Sequence, residues 1–419
     1  MSKRLHLFQG YGIELEYMIV DRDTLDVKPI ADELLKEVLG QYGEEFANGS
    51  VSWSNELVLH VIELKCTTPT PDLVQLEADL HRNILEVNDR LKKFNARLMP
   101  TAAHPWMNPR KETFLWPHGN SEIYEKYNEL FDCQGHGWSN LQSIHLNLPF
   151  YDDEEFAKLH TAARLILPII PGLTASSPIL DGAYTEYHDK RMVYYKNNQK
   201  RFESITGKVV PERVTSKHQY HKVIYDRILK QIKPFDPADI LEPVWVNSRG
   251  IIARFDRGSI EIRIMDIQEC PKSDLAIAAL VINSIKLFAQ GKMTDFHEQQ
   301  IWEVDPLYEI LKKCIRNSSD TTITNTEYLK TLGMSETSAS VVDVWKHLLT
   351  QCAKHYSTEM NHWIDPLNQL FERGSLAKGI LEVANGQYGK ENLKLIYQEL
   401  SQNLEENKLF EPCDKSILL

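Results

Sequence analysis

Four segments of this chain alternate apolar and polar residues with the period of a strand, and their polar positions carry groups suited to binding ions. Over residues 13–19, Ile13, Leu15, Tyr17 and Ile19 point one way, which sets Glu14 and Glu16 together on the other face. Two residues of strand separate them by about 7 Å. Over residues 57–65, Ile62 and Leu64 oppose Glu63; over 141–148, Ile144, Leu146 and Leu148 oppose Ser143, His145 and Asn147. Over 259–265, Ile260, Ile262 and Ile264 oppose Glu261 and Arg263. A half-exposed sheet with polar residues facing water accounts for any one of these strands. It accounts poorly for the set, because solvated strand positions favour Thr, Lys and mixed polar residues rather than clustered carboxylates. The pattern predicts an α+β fold built on a mainly antiparallel sheet, apolar on one side.

That apolar side needs helices, and the sequence supplies them. Leu73, Leu76, Leu80, Ile84, Val87 and Leu91 form one stripe, with Thr70-Pro71 as the expected N-cap and first helical residue. Further helices are expected over 153–167 and 273–289. Beyond Gly291 the periodicity becomes almost wholly helical, as in Val341, Val344, Trp345, Leu348, Leu349 and Cys352. The expected organisation is a catalytic domain over 1–290 and a helical C-terminal lobe over 291–419.

If Glu14, Glu16, Glu63 and Glu261 converge, their repulsion is of order 1 kcal/mol per pair in water and several times that at lower dielectric. Hard divalent cations offset it, and magnesium, which keeps oxygen ligands, waters and phosphates in its shell, suits such a set better than zinc. No phosphate-binding P-loop, dinucleotide fingerprint, H-E-x-x-H or G-x-S-x-G motif occurs, so a bound nucleotide would be held by side chains and metals on a sheet. The 47 basic and 59 acidic residues leave a net charge of −12, which argues against nucleic acid or anionic membrane as partners and in favour of small molecules. Cys66, Cys133, Cys270, Cys314, Cys352 and Cys413 are scattered without metal-ligand spacing and read as free thiols. The start, Met1-Ser2-Lys3-Arg4, leads into a mixed polar run rather than an apolar signal core, so a cytoplasmic location is expected.

The order of several short motifs resembles the glutamate–cysteine ligase family in its carboxylate–amine ligase branch. Gly12-Ile13-Glu14-Leu15-Glu16-Tyr17 is similar to that family's opening Gly-x-Glu-x-Glu strand. It is followed in order by Ile62-Glu63-Leu64, Ala103-His104-Pro105-Trp106, Ser143 to Leu148, Ala175-Ser176-Ser177-Pro178 and Ile260 to Asp266. The resemblance implies a glutamine-synthetase-like fold whose curved, mainly antiparallel sheet forms an active-site funnel, with helices on its outer face. It implies ATP and two or three Mg2+ ions as cofactors, with Glu14, Glu16, Glu63, His145 and Glu261 as metal ligands. By the same match Asn147 is a nearby polar contact, Arg263 faces the transferred phosphate and His104 belongs to the pocket wall. The implied reaction phosphorylates a carboxylate and lets an amine displace the phosphate, giving an amide from amino-acid substrates.

A basic, aromatic segment over 181–222 is either a solvated surface or a lid that grips phosphate or carboxylate. Arg191 and Arg201 are its candidate ligand contacts, with Lys196 as a competitor. Two other functions remain open from sequence: a metal-dependent hydrolase using the same carboxylates to activate water, and a silent binding homologue.

Overall fold

The computed structural model describes residues 4–412; Met1, Ser2, Lys3 and Cys413 lie outside the described residues. Its frame is an eight-stranded sheet, and every pairing in it is antiparallel. The strands are β1 (Gly12–Asp21), β2 (Glu45–Asn48), β3 (Val51–Asn55), β4 (Val61–Cys66), β5 (Ala96–Met99) and β6 (Ser143–Pro149). After a ribbon of β7 (Ile179–Leu180) and β8 (Ala183–Tyr184) come β9 (Ile251–Arg254) and β10 (Ser259–Asp266). The spatial order is β2-β3-β4-β1-β6-β10-β9, and β5 pairs with the far half of β1.

The segment expected over 57–65 is a strand only from Val61; residues 57–60 belong to the connection from β3. The helix over Leu73–Leu91 has the expected bounds, but its N-cap is Asp72, whose carboxylate accepts the Gln75 N–H at 3.0 Å. The other two helices span Asp153–Ile166 and Pro271–Ala289. The apolar residues of β1, β4, β6 and β10 are buried in one cluster with the stripe residues of these helices. The Pro271–Ala289 helix is buried almost all round, as suits an element with neighbours on every side.

The helices between Val304 and Arg373 share this core rather than forming their own. Trp302, Leu311, Tyr328, Trp345 and Trp363 join the same buried cluster. The Trp345 indole donates to the Ile169 carbonyl at 2.9 Å, and the Tyr328 hydroxyl donates to the Leu165 carbonyl at 2.6 Å.

The second face of β1 is divided. Glu14 and Glu16 are followed on the same side by Met18 and Val20, which are fully buried. Those two pack in a second cluster with Met99, Leu376, Ile380, Ile396 and Tyr397. The helices Leu376–Ala384 and Lys390–Glu406 thus cover the far half of the face whose near half carries the carboxylates. Among the described residues no helix is long and apolar enough to cross a membrane, and Cys66, Cys133, Cys270, Cys314 and Cys352 are free.

Candidate active site

Antiparallel register gathers the polar positions into rows. Glu16 lies opposite Glu63 on β4, Glu14 opposite His145 on β6, and Asn147 opposite Glu261 on β10. Ligand atoms of Glu14, Glu63 and His145 all lie within 4.8 Å of one another. His145 Nδ1 is 3.0 Å from Glu14 Oε2, and its Nε2 is 2.9 Å from Ser143 Oγ. Glu16 Oε2 accepts the Ser143 N–H at 2.6 Å and its hydroxyl at 2.9 Å. Asn147 donates to Glu14 Oε1 at 3.1 Å, and Ser54 on β3 donates to Glu63 Oε2 at 2.6 Å. Gly12 makes room for this arrangement: a Cβ there would lie 2.9 Å from Asn147 Cβ.

On β10 the pairing with β6 shifts register between Ile262 and Met265. Such an extra residue re-aims a side chain, and Arg263 lies within it with its Nε 2.9 Å from Glu261 Oε1. Arg191 comes from the helix Lys190–Asn197. Its Nε donates to Asp266 Oδ1 at 2.5 Å, and both terminal nitrogens are 3.3 Å from the Arg263 carbonyl.

This face borders a cavity of about 650 Å³ whose lining includes Glu16, His145, Arg191 and Arg263. Tyr124 and Tyr127 line it from the helix Ser121–Phe131, Trp138 from the helix His136–Ser139, and Tyr195 from beside Arg191. Tyr127 is fixed by its hydroxyl, which donates to the Trp245 carbonyl at 2.7 Å.

The carboxylates are crowded enough to hold protons. Burial, and then the charge of Glu14, push the Glu63 carboxyl up to about 7. Burial with Glu16 and Glu63 pushes Glu56 well above the usual carboxylate range. Burial works in the same direction on Glu14, but the His145 hydrogen bond and charge prevail and hold it at about 2. Burial opposes the His145 charge, yet Glu14 and Glu16 raise the ring to about 9. A hard divalent cation fits this set: its oxygen-rich donors are converged, and their charge is only partly met by nearby cations.

Cation binding therefore has to displace the proton held by Glu63 below about pH 7 and that held by His145 below about pH 9. Apparent affinity for Mg2+ or Mn2+ should rise with pH by about tenfold per unit for each proton displaced. The Glu63 proton is displaced only below about 7 and the His145 proton only below about 9, while Glu56, held well above the usual carboxylate range, gives up a further proton. Calorimetry in buffers of different ionisation enthalpy measures both the affinity and the protons released.

Of the residues expected from sequence, the structure brings together Glu14, Glu16, Glu63, His145, Asn147, Glu261 and Arg263, with Arg191 on the wall. Three fall elsewhere. His104 is fully buried; its Nε2 donates to the Leu25 carbonyl at 2.7 Å and its Nδ1 accepts the Met107 N–H at 3.0 Å. Burial holds it neutral, at about 4, and it braces a loop rather than lining the pocket. The Lys196 ammonium bonds the Tyr308 hydroxyl. Arg201 is exposed and lies over the ring of Phe235, 4.3 Å from its centroid. Glu56 was missed because it sits on the turn after β3, where no periodicity marks it. Lys65 was equally within reach of the strand period, two residues after Glu63 on the same face.

The family model for glutamate-cysteine ligase family 2 matches residues 11–399. An uncharacterized protein of Archaeoglobus fulgidus is 32% identical over 402 residues, covering 95% of this chain and 99% of its own. Among solved structures, a glutamate–cysteine ligase of Francisella tularensis in complex with AMP is 13% identical, with a TM-score of 0.59 over 96% of this chain and 90% of its own. A bifunctional glutathione synthetase of Pasteurella multocida is 14% identical, with a TM-score of 0.56 over 96% of this chain and 53% of its own. These two likenesses establish a shared fold. The family match spans the strands that carry the carboxylates and the helices that cover them, and the chain belongs to glutamate–cysteine ligase family 2.

Proposed function

We propose that this protein is an ATP- and magnesium-dependent ligase that joins a carboxylate to an amine through an acyl phosphate, with glutamate as the leading carboxylate. The observation that carries this is the converged carboxylate face beside two arginines at the edge of one cavity. Glu14, Glu16, Glu56, Glu63, Glu261 and His145 would hold Mg2+. When bound, magnesium neutralises phosphate and carboxylate oxygens that would otherwise repel and holds them in line.

The chain's own groups supply the rest. The γ-phosphate of ATP passes to the carboxylate oxygen, releasing ADP; the amine nitrogen then attacks the acyl carbon, phosphate leaves, and the nitrogen loses a proton. Arg263 meets negative charge on the phosphoryl group as it moves. Arg191, pinned by Asp266 and the Arg263 carbonyl, keeps a second guanidinium beside it without reorganisation. Tyr124, Tyr127, Trp138 and Tyr195 form an aromatic wall that shields an acyl phosphate from water.

Calorimetry with a nonhydrolysable ATP analogue, with and without Mg2+, tests this first. Wild-type binding should require Mg2+. Glu16→Gln should weaken it by more than tenfold, since even outer-shell partners of a metal are worth about 10–100-fold. ATP consumption should then depend on a carboxylate and an amine supplied together. A folded wild type that binds no nucleotide, or that cleaves amides without it, overturns the ligase reading.

A further inference from the structure

Lys65 is a cation that the reaction above leaves unused. It stands opposite Glu14 in the β1–β4 register and lines the cavity. Its ammonium is 3.0 Å from Glu63 Oε2 and 3.5 Å from Glu45 Oε2. Neither contact saturates it. Glu63 Oε2 already accepts the Ser54 hydroxyl at 2.6 Å, and the Glu45 side chain is 51% exposed, where such a pair is worth little. An ammonium has three donors on a flexible stem, and the Lys65 side chain keeps 27% of its surface open.

Position separates Lys65 from the arginines. In the order β4-β1-β6-β10, Lys65 is on the first strand and Arg263 on the last. Three strand spacings put their backbones about 14 Å apart. Their side chains do not lean together: Lys65 is drawn to Glu63 and Glu45 on its own side, and Arg263 to Glu261 on the other. The carboxylate floor is thus bracketed by cations anchored on opposite sides of it.

Building on the ligase reading, we propose that Lys65 is a ligand-binding residue that grips a second oxyanion entering on the β3–β4 side, distinct from the phosphoryl group that Arg263 meets. That oxyanion is either a phosphate of the nucleotide or a carboxylate of the acceptor. The ammonium exchanges its loose contact with Glu45 for it.

Lys65→Met and Lys65→Arg test this by calorimetry against two ligands: the Mg2+ complex of a nonhydrolysable ATP analogue, and L-glutamate added to that complex. If the oxyanion is a phosphate, Lys65→Met weakens the nucleotide complex at least tenfold. If it is the acceptor carboxylate, nucleotide binding holds and glutamate binding falls at least tenfold. In either case Lys65→Arg recovers most of the loss, and melting temperatures match the wild type. Unchanged binding of both ligands in Lys65→Met, with wild-type binding intact, overturns the proposal alone. A loss confined to Mg2+ binding without nucleotide also overturns it, reducing Lys65 to a counter-ion of Glu63. A wild type that binds no nucleotide overturns the ligase reading and this proposal with it.

Discussion

Arg263→Gln is expected to lower ligase turnover by about 100- to 1,000-fold, the usual consequence of removing one preorganised group aimed at developing charge. The size follows from how little else stands in that position. The guanidinium is held toward the cavity by Glu261 at 2.9 Å, and the β10 register shift sets its direction. Arg191 does not replace it, because its Nε is committed to Asp266 and its terminal nitrogens face the Arg263 carbonyl. That carbonyl survives the substitution, so Arg191 stays in place and the loss reports the Arg263 side chain. Arg263→Lys is not expected to keep the rate, since an ammonium lacks the planar fork. Steady-state kcat, with binding of the nonhydrolysable nucleotide as control, separates this outcome from unfolding. An Arg263→Gln variant within fivefold of the wild type removes Arg263 from the chemistry.

Arg249→Met carries the largest expected cost in stability, about 3 kcal/mol, at the low end of about 3–5 kcal/mol for breaking a buried ion pair. Arg249 is 1% exposed; its Nε and Nη2 donate to the two Glu212 oxygens at 2.5 and 2.7 Å. Its Nη1 donates to the Ser204 carbonyl at 3.0 Å and to Asn247 Oδ1 at 3.1 Å. The substitution therefore strands a carboxylate and a carbonyl at once. Glu212 keeps a side chain 27% exposed and can partly rehydrate, which is why the low end applies. Against a typical total of about 5–15 kcal/mol this is a large fraction. Urea unfolding measures it. Combining Arg249→Met with Glu212→Leu should recover part of the loss, because no buried charge is then left alone.

The sheet was legible because its strands obey a period of two and carry functional groups at that same period. Glu14, Glu16, Glu63, His145, Asn147 and Glu261 share a face as soon as their strands pair antiparallel. What period cannot show is a residue outside a strand, and Glu56 on its turn joins the carboxylates only through the β3–β4 hairpin. Over 181–222 composition left a solvated surface and a lid equally open and could not say which basic residues reach the cavity. Only Arg191 of the chosen three turns toward the cavity, because the helix Lys190–Asn197 has two sides and Lys196 lies on the one packed against Tyr308. His104 was carried by its motif, but its ring holds a loop through Leu25 and Met107. The buried cluster runs across the expected boundary near 290, since hydrophobic periodicity reports a residue's own element and not the one it packs against.

The two-part face of β1 sets a timetable for synthesis. Residues 12–21 are made before their partners: the strand pairs with β6 at 143–149, and the cover of its far half is completed only when residues 376–410 arrive. Contacts of such long separation close slowly. Until then Met18 and Val20 have only Leu25, Met99, Met107 and Ile179 of their buried cluster to pack against. A strand made before its partners is thus sealed late, and a chain lacking residues 376–410 presents apolar surface there rather than a finished site.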